Sequence, residues 1–67
     1  MSRTTPERLA MMANQIAANL AHVADPVSAT AEHIHSFWTP AMRATALAAD
    51  QAPLSPVARE ALARLAG

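Results

Sequence analysis

An all-α fold of about four short helices, arranged as an orthogonal or loose bundle, follows from three features of this 67-residue sequence. Four of its five prolines follow a residue able to cap a helix, apolar side chains recur at helical spacing, and glycine occurs once, at position 67. No stretch alternates apolar and polar residues with period two, so strands are not expected. Length limits the chain to one domain, residues 1–67.

The pairs Thr5-Pro6, Asp25-Pro26, Thr39-Pro40 and Ser55-Pro56 mark the helix starts. A Thr, Asp or Ser side chain accepts hydrogen bonds from the orphan amides of a first turn, and proline is pre-organised for the first helical position. Each pair also stops whatever precedes it. The spacing predicts helices near 6–23, 26–38, 40–50 and 56–66. In the first, Leu9, Met12, Ile16, Leu20 and Val23 form one stripe. In the second, Val27, Ala31, Ile34 and Trp38 do so, with Phe37 beside them. The third carries Met42 and Leu47 on different faces among alanines. In the fourth, Val57, Ala61, Leu62 and Leu65 face inward. Arg59, Glu60, Ala63 and Arg64 face out, with Glu60 and Arg64 a favourable (i, i+4) pair. The expected core anchors are Leu9, Met12, Ile16, Leu20, Ile34, Phe37, Trp38, Met42, Leu62 and Leu65.

Composition then narrows the function. Of 35 hydrophobic residues 18 are alanine, which favours helix but adds little area to a core. A chain this short buries only about 60% of the surface its unfolded form exposes. Small scaffolds of this kind usually need a disulfide, a metal or another chain to be robust. The absence of cysteine removes disulfides, iron–sulfur clusters and thiolate metal sites. That leaves another chain. Formal charge is zero, with five arginines, no lysine and no basic stripe, so nucleic acid is not an expected partner. No run approaches the roughly 20 apolar residues of a membrane helix, so neither is a membrane. Arg3 and Arg8 precede an uncharged stretch, as in an export leader. Asn14, Gln15 and Asn19 interrupt it, and His22 sits where a cut after Ala24 would want a small residue, so the cytoplasm is the expected location.

The most informative stretch lies between Arg8 and Asp25, 16 residues without a charge. Opposite the inward stripe stand Met11, Asn14, Gln15, Ala18, Ala21 and His22. A helix packed only on its own domain shows charge toward water, whereas small residues, a methionine and two carboxamides suit burial against another protein. The competing reading is a mildly polar, solvated face in an alanine-rich protein. On the first reading both carboxamides point into the open, and glutamate in place of either leaves the fold intact.

Both aromatics and two of three histidines fall in His33-Ile34-His35-Ser36-Phe37-Trp38-Thr39-Pro40-Ala41-Met42-Arg43. Phe37 and Trp38 suit the core of a domain with so few large side chains. His33, His35 and Arg43 are candidate interface donors. His33 and His35 lie about 160° apart on a helix, the wrong arrangement for one metal ion. There is no phosphate loop, nucleophile elbow or pair of neighbouring carboxylates, so no catalytic, cofactor-binding or metal site is expected.

The strings Met12-Ala13-Asn14-Gln15-Ile16-Ala17, His33-Ile34 with Phe37-Trp38, Pro40, Met42 and Arg43, and Leu54-Ser55-Pro56-Val57 leading to Ala61-Leu62 and Leu65 carry a resemblance. In this order, over roughly residues 8–65, the chain resembles the delta subunit of NAD-dependent formate dehydrogenases. It departs from that pattern at Thr39 and Ala41, where an acidic and a basic residue would stand. The resemblance implies a small non-catalytic subunit of a bacterial cytoplasmic complex that oxidises formate to carbon dioxide and reduces NAD. Its partner would be the large catalytic subunit, which it stabilises or helps to assemble and load with cofactor. The molybdenum or tungsten pterin, iron–sulfur clusters and flavin would belong to partner subunits, none to this chain. Two other classes stay open on the residues alone. One is a small helical regulator of antitoxin or DNA-binding type, against which the neutral charge counts. The other is a bundle whose uncharged face self-associates.

Overall fold

The computed structural model describes residues 5–66, so Arg3 of the leader argument lies outside the described residues. Four helices follow in order: α1 (Pro6–Asn19), α2 (Pro26–Phe37), α3 (Pro40–Ala48) and α4 (Pro56–Ala66). The described residues hold no strand. The body measures 36 × 21 × 21 Å, and its most extensive helix pairing is α2 with α4.

All four starts share one hydrogen-bond pattern. Thr5 Oγ1, Asp25 Oδ1, Thr39 Oγ1 and Ser55 Oγ accept the N–H of Arg8, Ser28, Met42 and Ala58 at 3.2, 3.2, 3.1 and 3.3 Å. Each acceptor thus satisfies the amide three residues on, with proline between, where no amide needs a partner. Thr39, at a position where the resemblance leads one to expect an acidic residue, serves as a cap, a role that aspartate also fills.

The helix ends depart further from expectation. The first helix stops at Asn19, not near residue 23, and Leu20 leaves it with φ −103° and ψ 9°. The second ends at Phe37 and the third at Ala48. No described residue has positive φ, so none of these ends uses the left-handed cap that glycine favours. Long side chains cover the open carbonyls instead. Arg43 Nη1 donates to the carbonyls of His35 and Trp38, each at 3.4 Å, across the end of α2. Gln51 Nε2 donates to those of Ala46 and Ala49 at 3.0 and 2.8 Å, across the end of α3.

Leu9, Ile34 and Leu62 are fully buried, Trp38 and Leu54 nearly so, and alanines 10, 13, 17, 31, 46, 58 and 61 fill the rest of the core. Met12, Ile16, Met42, Leu47, Val57 and Leu65 pack partly buried against it, and Leu20 is half-buried at the end of α1. Phe37 corrects the expectation of two aromatic anchors, being 72% exposed. Neighbours on a helix diverge by about 100°, so the pair cannot both face the core. Trp38 takes extended backbone (φ −90°, ψ 143°) at the end of α2 and keeps its indole inside, leaving Phe37 out.

The pairing of α2 with α4 carries a polar strap. Ser28 Oγ donates to Asp25 Oδ2 at 2.8 Å, and Arg64 Nη1 donates to Ser28 Oγ at 2.8 Å. Arg64 also meets Glu60 at 3.8 Å, the pair expected on the outer face of α4. The Ser28 hydroxyl first, then its N–H, with a smaller contribution from Arg64, hold the Asp25 carboxyl below its ordinary value. Thr30 is the polar exception in the interior: it is fully buried and its Oγ1 has no hydrogen-bond partner among the described residues.

Two substitutions move stability in opposite directions. Trp38→Ala costs about 3–5 kcal/mol, comparable to the whole stability of a small domain, so the variant melts far below wild type or does not fold. Thr30→Val removes an unpaired buried hydroxyl and stabilises by about 1 kcal/mol. Thermal or urea unfolding followed by circular dichroism checks both; a Trp38→Ala variant that melts like wild type, or a less stable Thr30→Val, contradicts this account of the core.

Candidate interaction surface

The outer face of α1 and the turn after it present Met11, 59% exposed, together with exposed Gln15, Ala18, Ala21 and His22. Asn14 does not belong with them, and the expectation that it faces the open is corrected. Its Nδ2 donates to the Pro53 carbonyl at 2.9 Å, and its Oδ1 accepts the Ser55 N–H at 2.8 Å. One half-buried carboxamide therefore grips the α3–α4 connection from both sides, 39 and 41 residues away in sequence. Ser55 is the cap of α4, so Asn14 satisfies the cap's own amide, a task usually given to a glutamate inside the same helix.

The second cluster divides likewise. His33 and Phe37 stand one turn apart on α2, both exposed, with ring centroids 4.6 Å apart and planes tilted by 34°. With Leu20, Ala29, Glu32 and Ser36 they line a shallow depression between α2 and the end of α1. His35 is exposed on another side, where Ser28, Ala31, Glu32, Arg64 and Leu65 line a depression between α2 and α4. The two histidines thus border different surfaces. Arg43, expected as an interface donor, is half-buried and committed to the end of α2. Among the described residues, no three His, Asp or Glu side chains stand close enough together to hold a metal ion.

Sequence reasoning missed the two features that matter most here. The exposure of Phe37 follows from where α2 stops. The Asn14 clamp has no local signature, because both its partners are backbone groups of a distant loop.

No helix of the described residues is long and apolar enough to cross a membrane. The family model described as NADH-dependent formate dehydrogenase delta subunit FdsD matches residues 8–62. No curated protein and no solved structure matches the chain.

The clamp separates two neighbouring carboxamides. Asn14→Ala removes two hydrogen bonds and lowers stability by about 1–3 kcal/mol, whereas Gln15→Ala, on the exposed face, changes it by less than about 0.5 kcal/mol. Paired denaturant titrations decide this; equal midpoints for the two variants would remove Asn14 from the fold.

Proposed function

Since the chain belongs to the NADH-dependent formate dehydrogenase delta-subunit family, we propose that it is a non-catalytic accessory subunit that docks on the large catalytic subunit of that complex in the cytoplasm. Its task is to hold that subunit in its assembled form or to aid its loading with cofactor. The observation that carries this reading is Phe37. A chain with two aromatics and 18 alanines keeps one aromatic 72% outside its core. Aromatics are enriched at the cores of protein interfaces, where a few well-packed side chains dominate binding energy. The Phe37 ring lies against the His33 imidazole, with ring centroids 4.6 Å apart, so the two rings offer one continuous patch.

The chemistry of the chain supports the same division of labour. In the complex that the family resemblance implies, a metal–pterin, iron–sulfur clusters and flavin carry electrons from formate to NAD, and this chain has no thiolate with which to hold a cluster. Those groups are assigned to the partner subunits, and the contribution of this chain to turnover is mechanical.

The test is co-expression of the tagged chain with the other subunits of its formate dehydrogenase. Phe37→Ser should leave the melting of the isolated chain within about 0.5 kcal/mol of wild type, because the ring lies outside the core. Association with the complex should weaken by about 30-fold or more, the effect of losing a central aromatic contact. The isolated chain should reduce no NAD with formate. Normal co-purification and activity with the Phe37 variant would overturn its role in docking, and turnover by the chain alone would overturn the non-catalytic assignment.

A further inference from the structure

We propose that the groove between the outer face of α1 and the α3–α4 connection receives a protein segment that pairs an apolar side chain with a lysine or arginine. This deepens the reading above and rests on it, since it names a surface and the chemistry that surface selects. The groove, of about 500 Å³, is floored by Ala10, Met11 and Pro53. Met11 is 59% exposed, and its unbranched thioether moulds itself to an incoming apolar group.

Its far wall is held still. The Asn14 carboxamide fixes the Pro53 carbonyl at 2.9 Å and the Ser55 amide at 2.8 Å, so the loop lining the groove is set before binding. A pre-ordered wall loses less entropy when a partner arrives. Gln15, exposed at the rim, presents a donor and an acceptor suited to a partner's backbone.

Charge selects the occupant. Glu7 lines the groove, and an adjoining depression continues past Glu7 and Pro53 to Asp50. Neither carboxylate has an ion-pair partner among the described residues, Asp50 Oδ1 accepting the Ala52 N–H at 3.0 Å, and no cationic side chain among those residues lines either depression. Arg8 is exposed on α1 but is not part of the lining. An apolar floor beside an acidic edge complements a basic–apolar segment and repels phosphate.

The experiment titrates the full chain, labelled, onto the complex of the remaining formate dehydrogenase subunits at low and high salt. In parallel, a photo-crosslinking residue at Met11 is activated in the assembled complex and the captured peptide sequenced. Wild type should bind, with an affinity that falls as salt screens the acidic edge. Glu7→Gln with Asp50→Asn should weaken low-salt binding by about tenfold and flatten the salt dependence. Glu7→Lys with Asp50→Asn should weaken it further, and both variants, in which residue 50 keeps an oxygen for the Ala52 N–H, should retain wild-type helical content. The captured peptide should come from a larger subunit and carry a lysine or arginine close to the crosslinked residue. Wild-type affinity in both double variants, or a crosslink to a second copy or to a segment without a cation, overturns the groove proposal while leaving the accessory role standing. Failure of the wild-type chain to bind the complex at all overturns both.

Discussion

A core lined largely by alanine holds only if its helices stay close, and that constraint governs the rest of this small protein. Seven of the twelve buried hydrophobic residues are alanine. A methyl group reaches little beyond its own backbone, and dispersion fades within a fraction of an ångström of lost contact. Side-chain bulk therefore cannot absorb an error in helix position. The hydrogen bonds at the helix ends answer this need: four capping side chains set where the helices begin, and Arg43 and Gln51 hold where two of them finish. Asn14 adds the long-range tie that keeps α4 in register with α1.

The same constraint decides which polar residues remain for a partner. With one glycine in the chain, helix termination falls to long side chains, and these are then spent inside the protomer. Arg43 closes α2, Arg59 donates to the Leu54 carbonyl at 3.0 Å beside the start of α4, and Arg64 straps α4 to Ser28. Three arginines that composition alone would offer to an interface thus have intramolecular work. What the surface keeps is the less obvious set: a methionine, an aromatic ring on a histidine, a glutamine, and two carboxylates beside an apolar groove.

Much of the fold was legible in the chain because capping is local. Four cap–proline pairs locate four helix starts, and the outward row Arg59, Glu60, Ala63 and Arg64 emerges on an exposed face. Ends were less legible. A side chain such as Gln51, reaching back to Ala46, leaves no signature comparable to glycine. The candidate surface was legible only in outline. Met11, Gln15, Ala18 and His22 are exposed as periodicity suggests. Asn14 sits one step around the helix, near enough to the buried face for a distant loop to claim it, and no pattern in α1 announces that loop. Phe37 and Trp38 look alike in a hydrophobic count. The residue at which α2 gives way to extended backbone sends one inward and the other out.

The placement of Trp38 has a further consequence. The chain has no tyrosine and no second tryptophan, and this single indole lies 5% exposed against the core. Its fluorescence is therefore a built-in optical probe of one location. The emission colour of the isolated chain reports whether water has entered the interior around Leu9, Ala10 and Ala13, which share its cluster.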